Sequence, residues 1–319
     1  MRKHIPIISQ AIIQKRVAAF LKPRPRDSHK GLFGTVLVIG GAPGMVGAVL
    51  LAGRAALKMG AGCVHVGMLA DDAPAVDMVQ PELMLHSAHE ALRLAVDSAR
   101  STKNAVIPAK AGIQSDKSTG FPPARERQKM VLAIGCGMGT SIAAQKLLHD
   151  ALRQDTALVL DADALNLLAR HPDLQVDLCA RKFATVITPH PGEAARLLGI
   201  DTTEVQAART ETAQKLAQKL HCSVALKGAD SVCVTRKGKV YLNQTGNPGM
   251  SAPGMGDVLA GMIAAFIAQG LDADQALLLA VHLHGAAGDA LAEKGVAIGM
   301  TATEVTEWAR WLLNQWCLK

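Results

Sequence analysis

Short, mostly continuous apolar runs recur along this chain, and each ends on glycine or on a polar motif. They fall at 35–40, 63–68, 130–134, 158–160, 184–187, 223–227 and 231–235. Between several of them lie Ala- and Leu-rich stretches of helical character, at 47–59 and 204–220 among others. A strand without a polar side needs cover on both faces, and helices alternating with such strands are the pattern of a parallel sheet. The expected architecture is therefore α/β, a mostly parallel central sheet with helices on both faces. Aromatic residues are only 3% of the chain, which favours close helix-on-sheet packing over an aromatic-rich β sandwich. In such sheets ligands gather at the carboxyl ends of the strands, which is where this chain places its glycines and polar residues.

At 319 residues the chain has room for one large α/β domain or two ordinary ones. Residues 5–20 read as an amphipathic helix, stopped by Lys22-Pro23-Arg24-Pro25. From about Thr102 to Lys129 the rhythm fails, with prolines, scattered charge and no sustained period. A loop of that length is uncommon inside a compact domain, and we read it as a mobile surface insertion, with a lid over the site as the alternative.

The formal charge of +7 looks like a hint of nucleic acid. Residues 1–30 carry eight Lys or Arg against one Asp, and 102–130 carry six against two acids, so the remainder is net acidic. No aromatic residues interleave the charge for base stacking, and nucleic-acid binding is not expected. Six cysteines (Cys63, Cys136, Cys179, Cys222, Cys233, Cys317) show neither C-x-x-C pairs nor zinc spacing. No stretch reads as a membrane span, and the first residues lack a signal peptide's apolar core. A cytoplasmic protein is the expectation.

The chemistry concentrates at Gly254-Met255-Gly256-Asp257, where glycine-rich backbone runs into an apolar helical pattern. Converging amides and the positive end of a helix suit a phosphate, or the charge on a phosphoryl group in transfer. Asp257 then stands where it could take a proton from an attacking hydroxyl. The alternative is a turn whose Asp merely caps a helix. The loop Gly40-Gly41-Ala42-Pro43-Gly44-Met45-Val46-Gly47 invites a dinucleotide-fold reading, but no acid ends the second strand to hold a ribose. Other strand-end motifs are Gly135-Cys136-Gly137-Met138-Gly139, a second backbone nest; Asp161-Ala162-Asp163-Ala164-Leu165-Asn166; Thr188-Pro189-His190-Pro191-Gly192-Glu193; and Lys227-Gly228-Ala229-Asp230-Ser231. His282 and His284 lie in an Ala/Leu-rich segment and read as packing histidines.

This ordered set resembles the ribokinase-like superfamily and, more narrowly, the ADP-dependent NAD(P)H-hydrate dehydratases. His29-Lys30-Gly31, Gly47-Ala48, Gln80-Pro81-Glu82 and Gly246-Asn247-Pro248-Gly249-Met250 belong to the same pattern, which covers nearly the whole chain from about residue 28. The resemblance implies a ribokinase-like three-layer sandwich, a single dehydratase domain over 1–319. It implies dehydration of the S-epimer of hydrated NADH or NADPH (NADHX, NADPHX) at the expense of ADP. The ring hydroxyl would be phosphorylated and phosphate eliminated, releasing NAD(P)H, AMP and phosphate.

Carried over residue by residue, the resemblance makes Asp257 the base and the amides of Gly254, Met255 and Gly256 the anion hole. Ala48, Gly137, His190 and Asp257 would contact the hydrated dinucleotide. Lys227, Gly228, Ala229, Asp230, Ser231 and Gly256 would line the adenine nucleotide. Glu193 would act on Mg²⁺ through water, with Asp161 a further carboxylate for the same ion. It further implies a homotetramer and an epimerase on a separate chain. The rivals are a small-molecule kinase of the same fold, such as a hydroxyethylthiazole-type kinase, and a non-catalytic nucleotide sensor. One position departs from the pattern: Pro253 stands where relatives usually carry glycine.

Overall fold

The computed structural model describes residues 5–21, 23–104 and 130–317. Among the described residues ten strands form one sheet: β1 (Ile7–Ile8), β2 (Thr35–Gly40), β3 (Cys63–Met68), β4 (Met84–Ser87), β5 (Met130–Ile134), β6 (Ala157–Leu160), β7 (Thr185–Ile187), β8 (Ser223–Leu226), β9 (Ser231–Val234) and β10 (Val240–Asn243). Their spatial order is β1-β10-β9-β8-β7-β6-β5-β2-β3-β4. Every neighbouring pair is parallel except at β9, which runs against both β8 and β10.

Alternate residues of β2 supply two separate cores, as the two-residue period of a strand requires. Val36 and Val38 face one layer, built largely on the helices Val46–Lys58, Met255–Ala268, Ala273–Glu293 and Ala302–Cys317. Leu37 and Ile39 face the other, with Ile142–Leu152, Asp163–Arg170, Pro191–Leu198 and Arg209–Leu220. The result is the three-layer α/β sandwich expected from the strand pattern. Helix Met255–Ala268 is buried along almost its whole length. At Gly261 it touches the backbone of the neighbouring helix, since a Cβ there would stand 2.1 Å from the Ala52 carbonyl oxygen.

The topology places a crevice. From β2 the chain steps outward to β3 and β4, then returns to β5 on the other side of β2. The loops after β2 and β5 therefore leave in opposite senses, the arrangement that opens a ligand crevice in α/β sheets. They are also stitched together: Gly41 and Ala42 N–H donate to the carbonyls of Cys136 and Gly137 at 3.0 and 2.7 Å. A side chain at Gly40 would meet the Cys136 carbonyl at 2.0 Å, so only glycine fits.

Three expectations need correction. Residues 5–20 are not one helix. Ile7 and Ile8 form β1, pairing in parallel with Leu242 and Asn243, and the helix is Gln10–Val17. The apolar pattern is shared by both states, and the unpaired edge of β10 decides between them. Residues 204–220 are two helices, Thr202–Ala207 and Arg209–Leu220, broken at Ala208. The break lets Arg209 donate to the carbonyls of Leu226 and Lys227. Lastly, the helix Ala88–Asn104 extends into the start of the 102–129 segment. The rest of that insertion lies outside the described residues.

Candidate active site

Helix Met255–Ala268 begins at Gly254, whose φ of 85° is left-handed and which has no side chain to cap it. The first amides of a helix have no partner within it, so this end offers free N–H groups and the positive end of the helix dipole. Asp257 is the third residue of the helix. Burial pushes its carboxyl up to about 6, and the Asp161 carboxylate adds to the rise; the Cys136 thiol and the Lys227 ammonium oppose it. Cys136 is itself fully buried, and burial holds its thiol well above the ordinary range.

Lys227, directly after β8, points its Nζ 2.6 Å from Oδ1 of Asp161, directly after β6. The Thr188 hydroxyl donates to the same oxygen at 2.8 Å. Burial alone would lower the Lys227 pKa, but the carboxylates of Asp161 and Glu193 outweigh it and the net shift is upward. Gly256 packs onto this pair: a Cβ there would lie 3.0 Å from Asp161 Oδ2 and 3.1 Å from Lys227 Nζ. Three strand ends and one helix start therefore converge on one point.

His190 and Glu193 form a capping box at the start of helix Pro191–Leu198. Glu193 Oε2 accepts the His190 N–H at 2.8 Å, and His190 Nδ1 accepts the Gly192 N–H at 3.0 Å. His190 Nε2 lies 3.3 Å from Glu193 Oε1, with the His190 side chain half exposed and that of Glu193 only 4% exposed. Burial raises the Glu193 carboxyl to about 7, with Lys227 opposing. The His190 pKa is lowered, first by burial and then by the Lys227 and Arg196 charges. Among the described residues no three His, Cys, Asp or Glu side chains form a cation cage. Two carboxylates, Glu193 engaged in a cap and Asp161 paired with Lys227, suit an ion that keeps its waters and its phosphate ligands, as Mg²⁺ does.

A cleft of about 490 Å³ opens beside this cluster, lined on one side by residues 227–231 and Gly256. All six positions expected to line a nucleotide therefore share one cavity. Asp257 lies outside that lining, next to Cys136 and Asp161. Ala48 and Gly137 meet in the crevice between β2 and β5, where a Cβ on Gly137 would lie 2.9 Å from the Ala48 Cβ.

Two things differ from the sequence reading. The 135–139 segment is not an open nest throughout, because the Gly139 N–H donates to Asp163 Oδ2 at 2.8 Å. And the far wall of the cleft is made of residues 243–248 with Met250, Ser251, His284 and Gly285; the sequence marked 246–250 as part of the family pattern without placing it at the nucleotide. His282 is buried against Trp316 as a packing residue, but His284 lines the cleft. Its Nε2 is enclosed without a hydrogen-bond partner among the described residues, and burial, then Lys227, lowers its pKa to about 4. The signal was present as His284, Gly285, Gly288 and Asp289 within an Ala- and Leu-rich helix.

A ribokinase-like α/β architecture, with an uncapped helix start, a buried Lys–Asp pair and a cleft at the strand ends, defines a class of phosphoryl-handling enzymes. Within that class the chain belongs to the NAD(P)H-hydrate dehydratase family, whose model matches residues 36–310. It is 37% identical to the ADP-dependent (S)-NAD(P)H-hydrate dehydratase of Neisseria meningitidis over 92% of this chain and 90% of that protein. The crystal structure of the ADP/ATP-dependent NAD(P)H-hydrate dehydratase from Bacillus subtilis, co-crystallised with ATP and Mg²⁺, matches with a TM-score of 0.75. The identity is 27%, over 98% of this chain and 99% of that one. A ribokinase-like superfamily protein from Enterococcus faecalis matches with a TM-score of 0.76 at 25% identity, over 99% and 98% of the two chains.

Proposed function

We propose that this chain is an ADP-dependent (S)-NAD(P)H-hydrate dehydratase. The observation that carries the reading is the uncapped start of helix Met255–Ala268, with Asp257 on its first turn beside the Lys227–Asp161 pair and Gly256 in the wall of the cleft. The family match favours it over a hydroxyethylthiazole-type kinase and over a nucleotide sensor.

On this reading ADP lies in the cleft against Lys227, Gly228, Ala229, Asp230, Ser231 and Gly256. The hydrated dinucleotide enters the crevice at Ala48 and Gly137 and reaches His190 and Asp257. Asp257 takes the proton from the ring hydroxyl, whose oxygen attacks the β-phosphorus; the bond to the α–β bridging oxygen breaks and AMP leaves. The amides of Gly254, Met255 and Gly256 receive the charge of the transferring group. Hydroxide is a poor leaving group and phosphate a good one. The ring nitrogen's lone pair then expels phosphate, and loss of the neighbouring ring proton restores the double bond of NAD(P)H. A base with a pKa near 6 is mostly ionised at neutral pH yet not too weak to hold the proton.

Mg²⁺ supplies positive charge to phosphate oxygens when bound. Glu193 and Asp161 would hold it through water. The same reading includes a cytoplasmic location, for which the support is that no described helix is long and apolar enough to cross a membrane. It includes self-association as a homotetramer, for which Met78, Ile142 and Ile298 offer exposed apolar side chains, and a single domain over 1–319. A dehydratase restricted to the S-epimer also calls for an epimerase activity that supplies that epimer.

One assay tests the reaction. Hydrated NADH with ADP and Mg²⁺ should regain the dihydronicotinamide absorbance, with one AMP and one phosphate released per NADH formed. Absorbance that stays flat while ADP is consumed on a thiazole alcohol would replace the dehydratase with the kinase. No turnover of either, with ADP bound, would leave the sensor.

A further inference from the structure

The cleft wall opposite residues 227–231 is a loop that leaves β10 at Asn243 and ends in the 3-10 turn Pro248–Met250. It is held by helix Ala273–Glu293. Asp289 of that helix accepts the Gly246 N–H on Oδ2 at 2.8 Å and the Asn247 side-chain amide on Oδ1 at 3.1 Å. The Asn247 amide oxygen in turn accepts the Gly249 N–H at 3.0 Å. Both ends of that amide are thus engaged, and the position of Asp289 is passed into the turn. Two glycines on the same helix let the loop approach. A Cβ at Gly285 would stand 2.3 Å from the Thr245 hydroxyl and 2.6 Å from its backbone carbonyl, and one at Gly288 would stand 2.3 Å from Met250 Sδ.

Asp289 is not part of the cleft lining, whereas Gly246, Asn247 and Met250 are. We propose that Asp289 is a positioning residue for the nucleoside diphosphate: it latches the loop onto the helix and so sets the width of the cleft. This rests on the reading of that cleft as the nucleotide site. Hydrogen bonds to a carboxylate are the stronger kind. A wall held in place before binding spares the ligand the cost of ordering it.

The test compares Asp289→Ala and Asp289→Asn with the wild type by calorimetric titration of ADP and by steady-state kinetics. Asp289→Ala should raise the Kd and KM for ADP about tenfold, while kcat at saturating ADP and the KM for hydrated NADH change less than about twofold. Asparagine keeps one acceptor and should weaken ADP only about threefold, and it carries the test if the alanine variant does not fold. An ADP Kd within twofold of wild type, or equal loss for both substrates, would overturn the latch. A wild type that binds ADP but leaves hydrated NADH unchanged would sink the dehydratase reading and leave the calorimetric test standing. A wild type that binds no ADP overturns both.

Discussion

Lys227 Nζ and Asp161 Oδ1 stand 2.6 Å apart, with the Asp161 side chain only 2% exposed and that of Lys227 22% exposed. The pair closes the space between the ends of β6 and β8, under the start of helix Met255–Ala268. Removing either charge leaves the other stranded in a poorly solvated place.

Lys227→Met should therefore cost about 3 kcal/mol or somewhat more of folding stability, the low end for a broken buried pair because the lysine keeps some water. Asp161→Leu added to it should return most of that loss. Urea denaturation of the two variants checks this, and a double variant no more stable than the single would show that the pair is not coupled. Lys227→Met should also weaken ADP by more than tenfold and the hydrated dinucleotide far less; equal weakening would count against placing Lys227 at the nucleotide.

Asp257→Asn should lower kcat by at least about a thousandfold, in the upper range for loss of a positioned general base. ADP affinity should stay within about threefold, because the side chain lies outside the cleft lining. Measuring NADH formation and ADP binding on one preparation separates the two effects, and near-normal turnover would remove Asp257 from its role.

The same carboxylate should set the acid limb of activity. Its folded-state pKa is raised to about 6, and a base must be deprotonated to work, so kcat/KM should fall as pH drops through about 6, not through the ordinary carboxylate range. Asp161 is one cause of the rise, and Asp161→Asn also frees the Lys227 charge. Both effects favour ionised Asp257. The limb should move to lower pH in that variant; a limb that moves up, or stays, would show that another group controls it.

Gly254→Ala places a Cβ 2.5 Å from Leu51 Cδ1 at a φ of 85°. The left-handed conformation alone costs a non-glycine residue about 1–2 kcal/mol, and the contact adds to it. We expect at least that loss in stability and a fall in kcat of about tenfold or more, as the amides of the helix start shift. Leu51→Ala combined with it should relieve the contact but not the backbone cost. Thermal melts and single-turnover rates of the three variants check both parts.

Much of the fold was readable locally. The strand Thr35–Gly40 is aliphatic from Val36 to Ile39 and buried at every position, as befits a central parallel strand. The 63–68 and 130–134 runs appear as β3 and β5 without adjustment. Failures came where an element depends on a distant neighbour. Ile7 and Ile8 become a strand because β10, more than two hundred residues away, has an edge to fill. The stretch at 204–220 is broken at Ala208, and Arg209 reaches carbonyls at the end of β8, a partner far along the chain. The candidate site divides in the same way. Asp257 and the glycines before it stood out, since a glycine-rich turn ahead of an apolar helix has few other uses. His284 and Asp289 did not, because two polar residues on an Ala-rich helix resemble ordinary packing until the loop at 243–250 is laid against them.

By itself, then, the sequence determined the period of each element, the glycines that only a bare backbone position accepts, and the residue types available at the strand ends. Those are properties of short stretches of chain. The tertiary structure alone decided which strand ends meet, and with what charge. Asp161 and Lys227 are 66 residues apart and become a buried ion pair only because β6 and β8 flank β7 in the same direction. The Asp257 carboxyl rises to about 6 because the surrounding segments take water away and set a second carboxylate nearby. Desolvation and the fields of neighbouring charges act through space and do not depend on order along the chain.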